Sequence, residues 1–441
     1  MSSMSSEAKT LLRKINSKKA AIAVVGLGYV GLPLALAFAR KGFSVKGIDL
    51  DKDRVDKLRR GISYVEDIPS RDLSSLVRQG RFEVFDTYEP VKKADAVVVC
   101  VPTPLNKSRD PDLTCIQQAS DQIGRRLRKG LLVILESTTY PGTTEELVLP
   151  RLERSGFRVG RDFFLCFSPE RIDPGNKEFP LPKIPKVVGG VTATCARLAS
   201  ALYEKIIERV FTVSSVRTAE MAKLIENTYR IVNIGLVNEL AKAAHALGVN
   251  IWEAIDAAST KPFGFMPFYP GPGIGGHCIG VDPVYLSWKA RVQGVDIHFI
   301  ELAREMNAGM PQFVVERAIH TLSERSRKAI NGSKILVLGV SYKPDVGDTR
   351  ESPALAILEE LQKLGAKVSY HDPYVHEIKS DSLQLKSEAL TPKNLRVKDL
   401  VIITTRHSGV NYGLVARHAR LVFDTRNVSF PGPSNSKIVR L

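Results

Sequence analysis

Apolar positions along the chain fall into short blocks that end in glycine or a charge. Residues 21–26 (AIAVVG) form the first, and from Leu32 to Lys41 the apolar positions recur at helical spacing until Gly42 stops them. FSVKGID then reads as a second strand. Further strand-like runs stand at 95–101 (DAVVVCV), 131–136 (LLVILE) and 163–167 (FFLCF), with helical segments such as 114–128 and 143–154 between them. Strand and helix in alternation predict a parallel sheet covered on both faces.

The period changes after Ser214. Val216 to Leu247 is a run of 32 residues without proline, with apolar positions at helical spacing and Gly235 as its only glycine. A helix of that length spans roughly 48 Å, more than the width of a small domain, so it is expected to join domains or build a dimer seam. A loop rich in Pro, Gly and aromatics follows at 261–276, then more helix to about Arg327. At Lys334 a second strand–helix–strand unit begins (KILVLG, SPALAILEELQKLG, AKVSYHD), with strands at 399–405 and 421–424. The pattern predicts an α/β chain: two Rossmann-like parallel-sheet domains joined by a long central helix. Their expected bounds are 1–214, 215–328 and 329–441.

Composition narrows the class. The 441 residues are 44% hydrophobic and 25% charged, an ordinary globular mix that excludes a disordered or fibrous chain. No run approaches the ~18 apolar residues of a membrane span. Residues 1–20 lack an apolar block of signal-peptide length; Glu7 and the Leu11-Leu12 pair suggest a short leading helix. Five cysteines without a C-x-x-C pair make no disulfide framework, so a reduced, cytoplasmic protein is expected. The formal charge of +16 favours anionic partners. Its basic residues are scattered and not interleaved with aromatics, so neither nucleic acid nor a membrane is the expected partner.

The first strand leads into Gly26-Leu27-Gly28-Tyr29-Val30-Gly31, a G-x-G-x-x-G set between strand and helix. Gly26 permits the tight turn, Gly28 lets backbone approach a pyrophosphate, and Gly31 lets the helix lie close on the strand. The helix start around Tyr29 and Val30 presents N–H groups to phosphate. Asp49 closes the second strand 23 residues after Gly26, where a carboxylate holds ribose hydroxyls and repels a 2′-phosphate. NAD is therefore the expected cofactor. Arg54 either lies near the adenine or faces solvent. Thr103 and Thr138, in turns after two further strands, are candidates for the nicotinamide half, or plain loop caps.

Candidate chemistry gathers later in the chain. Lys223 and Asn227 stand four apart on the long helix and share a face, as a solvated edge or a cleft wall. The loop Gly271-Pro272-Gly273-Ile274-Gly275-Gly276 holds four glycines in six residues, a backbone-entropy cost that suggests close approach to a ligand. Cys278 follows it, then Asp282. A thiolate at 278 needs nearby positive charge, which Lys223 supplies if the helix lines the same cleft. Cys100, Cys115, Cys166 and Cys195 read as buried and inert. His277 beside Cys278 is not a metal pair, since adjacent side chains rarely converge, and no metal site is expected. NAD with a nucleophilic cysteine points to oxidation of a primary alcohol to a carboxylate. Thiolate capture of the aldehyde restores an sp³ carbon that can give up a second hydride, and water hydrolyses the resulting thioester.

With VVGLGYVGLPLA, KLIEN, GGHCIGVDP and GVSYKPDVGDTRESP in this order, the chain resembles the UDP-glucose/GDP-mannose dehydrogenase family over essentially its whole length. The resemblance implies a homodimer or higher homo-oligomer built through the long helix, and oxidation of C6 of a nucleotide sugar with two NAD⁺. It assigns NAD to the first domain, dimerisation and catalysis to the second, and the UDP-sugar to the third. By the same resemblance Cys278 is the nucleophile, and Lys223 and Asn227, which also touch substrate, stabilise the oxyanion. Asp282 partners Lys223, Glu170 serves thioester hydrolysis and Thr138 supports its water. Lys343 and Arg350 match substrate-binding positions, as does the loop at Gly275. Phe268 and Tyr269 either pack on uracil or sugar or anchor their loop. GGHCIGVDP and TKPFGFMPFYPGPG are similar to the branch acting on N-acetylated UDP-hexosamines. The expected substrate is UDP-N-acetylglucosamine, on a route to polysaccharide, with its manno or galacto epimer or UDP-glucose as alternatives. A β-hydroxyacid dehydrogenase or a non-catalytic nucleotide-sugar sensor are the rivals of different class.

Overall fold

The computed structural model describes residues 4–65, 68–106, 108–173, 178–430 and 437–441; the side chains of His277 and Cys278 lie outside the described set. Two compact units divide the chain, one of residues 1–226 with 284–294, the other of 227–283 with 295–441.

The first unit is built on a sheet of eight strands among the described residues. They are β1 (Ala21–Val25), β2 (Ser44–Ile48), β3 (Phe82–Phe85), β4 (Ala96–Val99), β5 (Leu132–Leu135), β6 (Phe164–Phe167), β7 (Lys186–Gly190) and β8 (Val210–Val213). The order is β3-β2-β1-β4-β5-β6-β7-β8. β1, β4, β5 and β6 are almost wholly buried, as expected for central strands covered on both faces. Helix Gly31–Arg40 packs its leucines and Phe38 into the same core.

The expected all-parallel sheet needs one correction: β7 pairs antiparallel with β6, Phe167 opposite Gly189 and Cys166 opposite Gly190. Parallel neighbours need a crossover, usually a helix. Residues 168–185 show only the short 3₁₀ turn Leu181–Lys183 among their described part, so the chain doubles back. Helix Ala193–Tyr203 then supplies a crossover, and β8 lies parallel to β7. Strands β3, β7 and β8 were not anticipated from the sequence, being short or, for β8, largely exposed.

The leading helix forms at Ser6–Asn16, capped by Ser5, whose hydroxyl accepts from the N–H of Ala8 at 3.2 Å. Ala8, Leu11 and Ile15 make its buried stripe, the larger side chains contributing about 1.5–3 kcal/mol each.

The second unit carries a five-stranded parallel sheet among the described residues: β9 (Lys334–Leu338), β10 (Lys367–His371), β13 (Leu400–Ile403), β14 (Val422–Asp424) and β15 (Ile438–Arg440), ordered β10-β9-β13-β14-β15. β11 (Glu377–Lys379) and β12 (Gln384–Lys386) form a small antiparallel ribbon. The long helix runs Val216–Ala246 and joins the two Rossmann-like sheets. In the second unit Gly235 lets it meet helix His298–Ala308, where an added Cβ would stand 3.1 Å from the Ala303 backbone.

Candidate active site

In the first unit the glycine turn behaves as its spacing predicts. Gly26 has φ 86°, and a Cβ there would stand 2.5 Å from the Cys100 carbonyl oxygen. A Cβ on Gly31 would overlap the carbonyl oxygen of Gly26. Gly28 differs, for its Cβ would meet nothing within 4 Å. The space over Gly28 is what a pyrophosphate approaching backbone requires. Val30, at the cap position of helix Gly31–Arg40, makes no side-chain cap, so a phosphate can take that part.

Asp49 stands at the end of β2 and is nearly buried. Its Oδ2 accepts from Leu27 N–H at 2.8 Å and its Oδ1 from Asp51 N–H at 3.0 Å. Arg54 lies 3.9 Å from Asp49 and 3.3 Å from Asp51. It also lies over the ring of Tyr64, with 5.7 Å to the centroid. Tyr64 donates to the Leu27 carbonyl at 2.6 Å, and burial raises its pKa. Nothing in the sequence singled out Tyr64. Tyr29 is half-exposed at the mouth of the turn. Thr103 and Thr138, both half-buried, follow the neighbouring strands β4 and β5. Ser137 donates to the Val101 carbonyl at 2.8 Å and so locks the two turns side by side. These residues fit NAD.

Glu220 in this unit, and the partners of Glu170, carry no spacing signal in the sequence. Glu220, buried on the long helix three residues before Lys223, accepts from Gly142 N–H (2.6 Å), Thr144 N–H (2.9 Å) and Thr144 Oγ1 (2.7 Å). Burial dominates over those donors and pushes its carboxyl up to about 7. The second group joins Glu170 to Glu136, Lys186 and Tyr203. Lys186 Nζ lies 3.0 Å from Glu136 Oε2 and 3.1 Å from Glu170 Oε2. Only a lysine opening the apolar run KVVGG hinted at it.

Lys223 is half-buried and stands one turn before Asn227 on the long helix. In the second unit, Asn227 Nδ2 donates to Asp282 Oδ2 at 2.5 Å, with both side chains buried. Asp282 lies one turn after Cys278 on helix His277–Val292; the Cys278 side chain is outside the described set.

The glycine loop has a physical reason beside the one expected. A Cβ on Gly275 would stand 2.7 Å from both the Glu351 carbonyl oxygen and Tyr342 Cβ, and one on Gly276 would meet the Tyr342 ring at 2.7 Å. Gly276 N–H donates to the Arg350 carbonyl at 3.0 Å. Gly271 is pressed by Arg426, and Gly273, at φ 131°, by Pro353 and Asn307. The loop needs glycine because it packs closely on its own chain, Gly275 and Gly276 on the 342–353 loop. Phe268 packs edge-on to Tyr229 at 5.7 Å, and Tyr269 stacks on Trp252 at 5.9 Å while donating to Asp256. Both rings thus have anchors within the chain.

The 342–353 loop is itself pinned. Asp372, just past β10, accepts from Val340 and Ser341 N–H through Oδ2, which also lies 3.0 Å from His407 Nε2. His407 Nδ1 accepts from Asp345 N–H at 3.0 Å. Lys343 is half-buried. The Arg350 guanidinium forms a fork with Asp348, its Nη2 at 2.6 Å. Cys166 and Cys195 are buried as expected; Cys100 and Cys115 are only half-buried. Burial, the leading cause in each, raises the thiol pKa of Cys100, Cys115 and Cys166. No helix among the described residues is long and apolar enough to cross a membrane.

A glycine turn with open space over Gly28, followed by a carboxylate at the end of the second strand, has the form of the NAD site of a dehydrogenase. The family models extend this along the chain. Residues 20–207 match the NAD binding domain of the UDP-glucose/GDP-mannose dehydrogenase family, 217–309 its central domain and 336–431 its UDP binding domain. UDP-N-acetyl-D-glucosamine 6-dehydrogenase of Pseudomonas aeruginosa is 41% identical over 356 residues, 80% of this chain and 83% of that protein. UDP-N-acetyl-D-mannosamine dehydrogenase of Pyrococcus horikoshii is 36% identical over 92% of this chain and 95% of its own. A solved UDP-D-ManNAc dehydrogenase structure from Pyrococcus horikoshii superposes with a TM-score of 0.85 at 36% identity, over 95% of this chain and 98% of that one. The chain belongs to the UDP-glucose/GDP-mannose dehydrogenase family, and it is an NAD-dependent UDP-sugar dehydrogenase.

Proposed function

We propose that this enzyme oxidises C6 of UDP-N-acetyl-D-glucosamine to the uronate, for polysaccharide biosynthesis. The observation that carries this is the 41% identity to a UDP-N-acetyl-D-glucosamine 6-dehydrogenase, together with the loop GGHCIGVDP. A second reading, the manno epimer, is favoured by the mannosamine dehydrogenase relatives that span more of the chain.

In this proposal residues 1–214 hold NAD, 215–328 provide dimerisation and catalysis, and 329–441 hold the UDP-sugar. NAD, when bound, supplies the hydride acceptor; Gly26, Gly28, Tyr29, Val30, Gly31, Asp49, Arg54, Thr103 and Thr138 hold it. The sulfur of Cys278 captures the C6 aldehyde, and Lys223 and Asn227 donate to the oxygen that becomes an oxyanion. The Asn227–Asp282 hydrogen bond supports this, because it fixes the amide of Asn227 with a charged partner. Glu170 accepts a proton from the water that opens the thioester, with Thr138 orienting that water. Lys343 and Arg350 pair with the pyrophosphate, and Gly275, Phe268 and Tyr269 border the sugar.

A homodimer through the long helix belongs to the same proposal. Ile225, Tyr229, Leu236 and Leu240 recur at helical spacing and are each about half exposed among the described residues, an apolar stripe that a second copy would cover. A molar mass near twice the 48.6 kDa of one chain by light scattering is the expected result. A cytoplasmic setting fits the free thiols of Cys100, Cys115, Cys166 and Cys195.

The deciding experiment is NADH production against a panel of UDP-sugars. Two NADH per UDP-N-acetylglucosamine, with at least tenfold lower kcat/KM on UDP-N-acetylmannosamine and UDP-glucose, is expected. A preference for the manno epimer selects the second reading, and one NADH per turnover removes the cysteine mechanism. Replacement of Cys278 by Ala is expected to abolish uronate formation.

A further inference from the structure

The reversal of β7 has a chemical result. Ligands of open α/β sheets bind beyond the carboxyl ends of the parallel strands. Because β7 runs against β6, its first residue, Lys186, stands at that same end, where a parallel β7 would have carried it to the opposite edge. There it meets Glu136, which closes β5 two residues before Thr138, and Glu170, three residues past β6.

Every carboxylate oxygen of the pair has a donor. Glu170 Oε1 accepts from the N–H groups of Arg171 (2.6 Å) and Ile172 (2.5 Å). Lys186 bridges Glu170 Oε2 and Glu136 Oε2, and Glu136 Oε1 accepts from the hydroxyl of Tyr203, the last residue of helix Ala193–Tyr203. Side-chain exposure is 3% for Lys186, 0% for Glu136 and 10% for Glu170. Burying three ionisable groups carries a desolvation cost, and an apolar trio of similar volume is often as stable or more so. Stability alone therefore does not account for charges at this end of the sheet.

We propose that Lys186, backed by Glu136 and Tyr203, is a positioning residue that holds the Glu170 carboxylate in one orientation for thioester hydrolysis. The inference rests on the reading above that Glu170 serves that step. In it, water adds to the thioester carbonyl carbon, its proton passes to Glu170, the C–S bond breaks and the sulfur of Cys278 leaves as thiolate. Burial pushes Glu136 upward. It pushes Glu170 the same way, but the charge of Lys186 and the hydrogen bonds outweigh it and leave Glu170 low. Two neighbouring carboxyls whose surroundings push their pKa values in opposite directions are the usual mark of an acid–base assignment. Among the described residues, the other titratable groups facing Glu170 are Tyr203 and Cys100; the guanidinium of Arg171 turns to Glu226 at 2.8 Å.

The test separates the oxidation steps from hydrolysis, using the full-length enzyme, NAD and UDP-N-acetylglucosamine. For Lys186→Met we expect a first-turnover burst of two NADH per chain, then a steady-state rate at least tenfold below wild type. Intact-protein mass spectrometry is expected to find the thioester-loaded chain. The acid limb of kcat is expected to move to higher pH, since Glu170 loses its cation, and Lys186→Arg to recover part of the rate. Should Lys186→Met fail to fold, Lys186→Met/Glu136→Gln removes the charge left facing Glu170 and is read the same way. Burst and steady state falling together, with no thioester and an unmoved pH limb, overturns the inference. Glu170→Gln is measured alongside. Thioester there but not in the Lys186 variants sinks the positioning role alone; none in Glu170→Gln removes the parent reading and the inference with it.

Discussion

The amide of Asn227 donates to Asp282 Oδ2 at 2.5 Å, and both side chains are buried. Asn227 comes from the long helix, while Asp282 lies one turn beyond Cys278. The bond fixes which way the amide faces, because a carboxylate accepts only from its N–H₂ end. Breaking a hydrogen bond to a buried charge costs about 1.5–3 kcal/mol. Asn227→Ala is therefore expected to lower kcat by roughly 10- to 100-fold, at about 1.4 kcal/mol per factor of ten, with KM for NAD nearly unchanged. Steady-state NADH kinetics check this; a wild-type kcat would detach the pair from catalysis.

The glycine turn predicts two substitutions of opposite character. Gly31→Ala drives a methyl into the backbone carbonyl of Gly26, which has no room to move, and is expected to destabilise by about 3 kcal/mol or more. Gly28→Ala meets no protein atom within 4 Å, so the melting temperature is expected to stay within about 2 °C. Its methyl fills the space a pyrophosphate needs, and NAD affinity should fall at least tenfold. Thermal melts and NAD titration on the two variants distinguish these outcomes.

Asp49 has a structural role in the turn, and in the proposed function it binds the cofactor as well. Oδ2 holds Leu27 N–H inside the glycine turn, at the ribose position. Asp49→Asn removes the negative charge while keeping an acceptor oxygen. KM for NAD is expected to rise about tenfold, with the ratio of NADP to NAD efficiency rising as well, because the repulsion of a 2′-phosphate is gone. An unchanged cofactor ratio would argue that Asp49 is only a turn residue.

Glu220 makes stability depend on pH. Its folded pKa is raised to about 7 from 4.5, so between these values the folded chain holds a proton that the unfolded chain releases. The folded state then binds more protons, and stability falls as pH rises. The contribution is full below pH 4.5 and lost as pH passes 7. The melting temperature of wild type minus that of Glu220→Gln is expected to shrink between pH 5 and pH 8. A difference that grows with pH would mean the three donors around Glu220 outweigh its burial.

Legibility differed between the two units. The glycine turn could be read directly, because Gly31 meets the Gly26 carbonyl and Asp49 accepts from Leu27 N–H, contacts that lie within one strand–helix–strand unit. The glycines at 271–276 were legible as a constraint but not as to its source. Among their partners Tyr342, Glu351 and Pro353 lie more than 65 residues away in sequence, and only the packed chain identifies them.

Hydrophobic period and turn chemistry settled the alternation of strands and helices, the two Rossmann-like sheets, the long helix from Val216 and the NAD-type turn. These depend on interactions among residues close in sequence. The direction of β7 belongs to the tertiary structure, because a strand's sense follows from how its connection crosses the sheet, and KVVGG reads the same either way. That direction brings Lys186 to Glu136 and Glu170, and folding likewise brings Asn227 to Asp282 across 55 residues. Which charges are buried together is decided by packing.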